Sequence, residues 1–378
     1  MDLAIIGAGV AGLAAARALR QRRPDLAITI YEQGDGLGGR VATCRREGYV
    51  FDHGAQNARA PTPELARLLT AELPGDGLRD IGLPVWVFDS AGAIAEGDPA
   101  LNAEPKWTYG DGLIRLAERL GDGLDVRLGT RIGSLRRTTD DRRPTTDDRP
   151  SGRFSITRSP AHPLTRSPHH GHWLLVDAGG QQVGEADMVL LTPPAPQAAA
   201  IVAASAIEPQ ARAALLAELA RATYRRCISV ALAYDRRIER PFYALLNVDR
   251  AHPIAWLAIE HAKGPERCPP GHSLLIAQMG ARWSLEHWET PAEQLGHPVA
   301  DLVGALLGED LRAPLWHDVA RWPYALPDTG AGFVALNGAD TSLFFAGDYT
   351  AGLGRIHLAI ESGWRATDVI LRALDERK

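Results

Sequence analysis

An α/β protein is predicted: a nucleotide-binding βαβ unit opens the chain, and an α+β domain built on an antiparallel sheet is inserted further along. Three observations carry this. The first forty residues read strand, G-x-G-x-x-G, helix, strand, acid. Four apolar segments between residues 227 and 279, separated by turns, read as antiparallel strands. The last seventy residues return to the opening pattern as strand, glycine-rich loop and amphipathic helix.

In the opening unit, Ala4-Ile5-Ile6 is a short apolar run that reads as a buried strand. Gly7-Ala8-Gly9-Val10-Ala11-Gly12 follows, Leu13 to Arg22 reads as a helix, and Ala27 to Tyr31 is a second strand closed by Glu32 and Gln33. Gly7 makes the tight turn, Gly9 lets the backbone approach a pyrophosphate, and Gly12 lets the helix pack close to the strand. The helix start at Val10 and Ala11 offers unpaired N–H groups and a positive dipole end to the phosphates. Glu32 stands about twenty residues past the last glycine, where a carboxylate reaches ribose hydroxyls. This motif leaves FAD and NAD open. Gly34-Asp35-Gly36-Leu37-Gly38-Gly39-Arg40 then adds a second glycine-rich loop ending in a cation, with further donors for the same pyrophosphate.

The 378 residues suffice for two domains. A chain 45% hydrophobic and 23% charged has the composition of a soluble globular protein, and a net charge of -5 argues against a nucleic-acid surface. Cys44, Cys227 and Cys268 are too widely spaced for a metal or redox motif, which fits a reducing compartment. No signal-peptide pattern is present and no apolar run reaches the roughly 18 residues of a membrane helix. A cytoplasmic monomer or homodimer is expected, with no membrane or nucleic-acid partner. Lysine is scarce: only Lys106, Lys263 and Lys378.

Further along, Val50 and Phe51 read as a strand entering a Gly54 turn, which brings the amides of Gly54, Ala55 and Gln56 to the face of a ring. Pro61 to Leu73 has leucines at helical spacing, Val85 to Ile94 suggests a hairpin, and Leu113 to Leu120 a helix. Asp125 to Leu128 and Arg131 to Leu135 read as strands. Thr138 to His172 differs in kind: Thr-Asp-Asp-Arg occurs twice, and Pro, Arg, Asp, Ser and Thr dominate. Such a composition buries too little surface to offset its ordering entropy, so a mobile hairpin tip is expected. His169, His170 and His172 in such a loop form no preorganised site, and no metal is expected.

Trp173 to Asp177 and Met188 to Thr192 read as strands, and Pro209 to Leu219 as a helix. Cys227 to Tyr234, Tyr243 to Val248, Ile254 to Ile259 and Ser273 to Met279 form the expected antiparallel sheet, with helices over Ala281 to Trp288 and Pro298 to Leu307. Leu343 to Asp348 is a strand ending in Gly347-Asp348; after Gly352-Leu353-Gly354-Arg355, the residues Ile356, Ala359, Ile360, Gly363, Ala366, Thr367 and Ile370 repeat at helical spacing. Asp348 can accept a hydrogen bond from a ribityl chain. The helix start near Arg355 and Ile356 can face the flavin atoms N1 and O2, which gain negative charge on reduction.

These pieces resemble the FAD superfamily of amine oxidases, and within it the renalase-like oxidoreductases. The resemblance rests on Gly7 to Gly12, Gly38-Gly39-Arg40, Gly54-Ala55-Gln56, the Gly112-Leu113 helix, Thr192-Pro193-Pro194, Trp256-Leu257-Ala258, Arg321-Trp322-Pro323-Tyr324-Ala325 and Ala346-Gly347-Asp348. It departs at Asn57-Ala58-Arg59, where aromatics are usual, and at Tyr349, where Trp is common. It implies a Rossmann-type FAD-binding domain over 1–60, 108–197 and 320–378, holding non-covalent FAD, and a substrate domain over 61–107 and 198–319. Ile132 would pass the adenine, and Thr192, Gly354 and Ala359 would join the cofactor cradle. Renalases take hydride from wrongly reduced NAD(P)H isomers onto the flavin, which O2 reoxidises with release of peroxide. Pocket candidates are Gln56, Tyr243, Trp256, His261 and Tyr324. A flavin amine oxidase is the nearest alternative. The scarcity of lysine and Leu353, where an aromatic is common, weigh against it. A flavin-binding protein without catalysis is the third reading.

Overall fold

A computed structural model describes residues 1–138, 171–338 and 342–376. Most of the Thr138 to His172 segment, with His169 and His170, lies outside the described residues. Its two ends are paired: Thr138 N–H donates to the His172 carbonyl at 3.0 Å.

The opening motif builds a five-stranded, all-parallel sheet. Its order is Leu343–Phe345, Met188–Leu191, Asp2–Ile6, Ala27–Tyr31, Asp125–Arg127. The central strands are short apolar runs because both faces are covered. On one face lie the helices Val10–Arg22 and Ile356–Asp375, with Leu13, Leu19, Ile360, Ala366 and Ile370 in one buried cluster. Thr367 Oγ1 donates to the Ala15 carbonyl at 3.3 Å where these two helices cross. The other face is covered by the antiparallel sheet Ile132–Arg137, Trp173–Asp177, Gln182–Ala186 and by the helices Ala195–Ala204 and Pro209–Leu219.

The second large sheet has seven strands. The four expected segments are there, observed as Tyr224–Tyr234, Ser273–Met279, Ile254–Ile259 and Ala244–Asn247 in spatial order, antiparallel throughout. The sheet is larger than expected and not purely antiparallel. Val85–Phe88 pairs parallel to Ala244–Asn247 and carries the short edge strand Ile94–Ala95, and Trp316–Pro327 forms the opposite edge against Tyr224–Tyr234. Side-chain alternation gives it two faces. Val230, Leu232, Leu245, Leu257, Leu275 and Ala277 pack against the helix Gly296–Leu307. The opposite face carries Ala231, Ala244, Ala258 and Ile276 against Tyr49 and Phe51.

Two of the expected domain limits shift. Residues 320–327 are hydrogen-bonded into the seven-stranded sheet, so the chain returns to the parallel sheet only after Pro327. The segment from Pro61 to Leu73 packs Leu65, Leu68, Leu69 and Leu73 into the core beside Leu13, on the parallel-sheet side. Its helix is α only over Pro63–Arg67, with Thr62 capping Leu65 N–H, and continues as a π turn over Leu68–Glu72. No helix among the described residues is long and apolar enough to cross a membrane.

Candidate active site

The parallel sheet delivers its glycine loop and acid to one edge. Gly7 N–H donates to the Tyr31 carbonyl, and the helix Val10–Arg22 begins at Gly9 with no side-chain cap. Its first-turn N–H groups therefore have no intrahelical partner. A Cβ on Gly12 would stand 2.3 Å from the Gly7 carbonyl oxygen, so only glycine allows this approach; a Cβ on Gly9 would meet nothing within 4 Å. The protein's own packing does not require glycine at position 9. The open space before it suits an outside group that lies against the backbone. Gly39 borders the same gap, and Gly38 N–H is tied to the Ala8 carbonyl at 2.9 Å.

Glu32 accepts from the N–H groups of Ala8 and Gly34, both at 2.8 Å, which fixes its carboxylate beside the loop; Gln33 is exposed next to it. Thr192 Oγ1 donates to the Ile6 and Gly7 carbonyls and so holds the turn. Ile132 is buried in the core of the three-stranded sheet. Arg40 and Asp348, which the sequence suggested for separate tasks, are each other's partners in a two-armed ion pair, both arms 2.8 Å. Burial opposes the charge on Arg40, but Asp348 prevails and raises its pKa. Gly347 N–H donates to Ser362 Oγ, which in turn donates to the Ala359 carbonyl. The helix Ile356–Asp375 starts uncapped after Arg355, so its first-turn amides are open as well.

Facing this cradle is the loop after Tyr49–Asp52. The seven-stranded sheet holds it from two sides. Gln278 Nε2 donates to the His53 and Gly54 carbonyls. The His53 ring bonds Asp318 at 2.9 Å through Nε2 and Ser229 Oγ at 3.3 Å through Nδ1. Cross-strand register places Trp256, Gln278, Ser229 and Ala320 in one row, with Trp322 two residues beyond Ala320 on the same face. The indole N–H groups of Trp256 and Trp322 and the Tyr349 hydroxyl are buried without a partner among the described residues.

Of the pocket candidates, Tyr243 and Trp256 meet edge to face at 6.1 Å, and Tyr243 Oη accepts from Asn57 at 2.6 Å. Tyr324 meets the Tyr224 ring edge-on at 5.6 Å, and its carbonyl lies beside Arg40. The Gln56 amide is committed inside the protein: Nε2 donates to the Asp52 and Gly54 carbonyls, and Oε1 accepts from Lys263. His261 is not brought to this group. Its electrostatic neighbours are Arg237 and the backbone of Ile238, and burial pushes its pKa down to about 4.

Two features were missed by the sequence reading. Asp52, Glu260, Lys263 and Arg267 form a fully buried ion tetrad directly behind Gln56. Its only sequence signal was the spacing Glu260-x-x-Lys263-x-x-x-Arg267, which looks like a solvated face. The second is a rim of arginines, in which Arg59 is paired with Glu104 and Arg225 with Asp328. Arg355 has no carboxylate partner among the described residues, and partial burial, then Arg59 and Arg225, hold its pKa below the ordinary value. His357 is lowered likewise by burial, Arg355 and Arg59, against Glu104. Gly354 packs on Leu326, the cross-strand partner of Arg225, which places Arg225 and Arg355 at one corner.

A family model described as flavin containing amine oxidoreductase matches residues 90–371, and one described as an NAD(P)-binding Rossmann-like domain matches residues 5–71. Over 56 residues the chain is 38% identical to coproporphyrinogen III oxidase of Staphylococcus aureus, covering 15% of this chain and 12% of that protein. Over 67 residues it is 37% identical to protoporphyrinogen oxidase 2 of Arabidopsis thaliana, covering 18% and 13%. The chain thus matches only a small part of these relatives' length. Whole-chain likeness appears in three dimensions. A structure provisionally identified as a protoporphyrinogen oxidase of Exiguobacterium sp. superposes with a TM-score of 0.72 at 18% identity, covering 99% of both chains. Cyclohexylamine oxidase of Brevibacterium oxydans gives 0.71 at 16%, again with 99% of both chains covered. At these identities the likeness establishes the fold.

Proposed function

The chain belongs to the flavin containing amine oxidoreductase family, and from that premise we propose that it is a renalase-like FAD-dependent oxidase, taking hydride from a dihydronicotinamide-type substrate and passing the electrons to O2 as hydrogen peroxide. Bound non-covalently, FAD supplies the hydride acceptor. The residues of this chain do the rest. The open amides after Gly9 and those of Gly39 and Arg40 hold the pyrophosphate, Glu32 the ribose, and Asp348 the ribityl chain, with Arg40 shared between Asp348 and the phosphates. The open turn at Ile356 places positive potential where negative charge develops. Trp256 and Tyr324, both partly exposed, offer flat apolar surface to a ring, with the fully buried Tyr243 packed behind Trp256; no general base is needed, because hydride loss from a dihydronicotinamide does not wait on a proton.

The observation that favours this reading over an amine substrate is Arg355, a cation with no carboxylate partner among the described residues, beside Arg59 and Arg225, which are paired with Glu104 and Asp328; an unpaired guanidinium suits a phosphate-bearing dinucleotide better than an ammonium ion. Lys263 does not restore the amine reading, since Glu260, Gln56 and Asp52 surround its ammonium. Anaerobic mixing with partly isomerised NADH should bleach the flavin at catalytic rates, nearly independent of pH between about 6 and 9. An amine substrate would react faster as it deprotonates. Rapid bleaching by a primary or secondary amine, with no response to the NADH isomers, would put the amine-oxidase reading in its place.

Glu32→Ala should weaken FAD binding on the order of ten- to a hundredfold, the cost of a charge-assisted hydrogen bond of about 1.5–3 kcal/mol, while the reductive rate of the flavin-loaded fraction stays unchanged. Titration of apoprotein with FAD checks it; an unaltered affinity removes Glu32 from the ribose.

A further inference from the structure

Behind the Gly54 turn lies the only place where the described residues bury two carboxylates and two cations together. The side chains of Asp52, Glu260, Lys263 and Arg267 have no exposed surface. Arg267 reaches Asp52 at 2.8 Å, Glu260 at 3.0 Å, Thr108 Oγ1 at 2.9 Å and the Tyr109 carbonyl at 2.8 Å. Asp52 also accepts from Thr43 Oγ1 and the Leu113 N–H. Lys263 is bonded to Glu260 and stands 3.7 Å from Asp52. Formal charge cancels within the group, which lets four ions be buried together.

Arg267 alone would serve to tie Asp52 to Tyr109. Lys263 adds something different: it spends one proton outside the ion group, donating to Gln56 Oε1 at 3.0 Å. That bond sets the amide so that Nε2 faces the Asp52 and Gly54 carbonyls. Turned over, the amide would aim two N–H donors at an ammonium and its oxygen at two carbonyls. One orientation of Gln56 therefore survives, and with it one path for Gly54 and Ala55, whose carbonyl and N–H are further tied to Gln278 and Arg40.

We infer that Lys263 is a positioning residue which, acting through the Gln56 amide, fixes the Gly54–Ala55 backbone as a rigid platform against one face of the flavin ring. The inference rests on the flavin reading above. It makes the lysine neither a base nor a substrate contact: its ammonium is enclosed and reaches the reacting ring only through Gln56.

The test is a mutant cycle on the flavin-loaded protein. Lys263→Met is combined with Glu260→Gln, which keeps the remaining Asp52–Arg267 pair balanced and guards against simple unfolding. Gln56→Leu is made alone and together with that pair. The readouts are the visible-region circular dichroism of bound flavin, its midpoint potential against dyes under dithionite reduction, FAD affinity and the melting temperature; none requires a substrate. Expected are an altered flavin dichroism, a shifted potential and an affinity lowered on the order of tenfold in the Lys263→Met/Glu260→Gln protein, the same changes in Gln56→Leu, and no further change in the triple variant. Flavin properties unaltered by removing Lys263, or a Lys263 effect that persists once Gln56 is Leu, overturns the inference. An unaltered chain that binds no flavin overturns the parent reading instead, and this one with it.

Discussion

Arg267→Met should destabilise the protein by about 3–5 kcal/mol, the usual cost of stripping one partner from a buried ion group. Burial raises Glu260 above its ordinary range despite Lys263 and Arg267; on Asp52 burial acts the same way, yet Arg267 first, then Lys263, hold it lowered. Without the guanidinium, two carboxylates would share one ammonium, and the Thr108 hydroxyl and Tyr109 carbonyl would each lose a donor. Guanidinium denaturation followed by tryptophan fluorescence measures the loss. The control is Arg282→Met, whose ion pair with Glu286 is exposed to solvent; its midpoint should not move. A small effect at Arg267 would mean that the tetrad is replaceable by apolar packing.

Gly9→Ala should separate folding from cofactor binding. The new methyl meets no protein atom within 4 Å, and residue 9 has φ -74° and ψ 173°, which any residue adopts. The apoprotein's melting temperature should hold or rise slightly, since an alanine has less unfolded-state freedom to lose. The methyl nevertheless enters the open gap that the proposed reading gives to the pyrophosphate. Displacing that group from two or more charge-assisted hydrogen bonds, each about 1.5–3 kcal/mol, should weaken flavin binding a hundredfold or more. Gly12→Ala is the counterpart: its Cβ would strike the Gly7 carbonyl at 2.3 Å, so fold and flavin should fail together. If Gly9→Ala binds flavin normally, the pyrophosphate lies elsewhere.

The parts legible in the sequence were local ones. The two glycine loops, the strands beside them and the C-terminal helix are each specified by a few adjacent residues, and the structure has them within a residue or three. What was not legible depends on partners far along the chain. Trp316–Pro327 alternates poorly and contains Pro323, which argues against a strand; the structure accommodates it as an edge, where a missing N–H costs no ladder bond. The ladder is interrupted between Trp322 and Leu326, around that proline. The tetrad joins position 52 to positions 260–267, and nothing at either end announces the other. Counting lysines was similarly blind, since Lys263 matters by its depth and its partner.

The order of strands in the parallel sheet has a consequence for synthesis on the ribosome. Asp2–Ile6 finds Ala27–Tyr31 almost at once, but its other edge stays open until Met188–Leu191 has been made, and that strand waits in turn for Leu343–Phe345. At about 5–20 residues per second, the first gap lasts on the order of ten seconds or more. Throughout it the nascent chain displays an apolar strand with an unpaired edge, of the kind that chaperones cover and aggregates recruit. Closure is a non-local event, so this half of the molecule is expected to mature late and slowly.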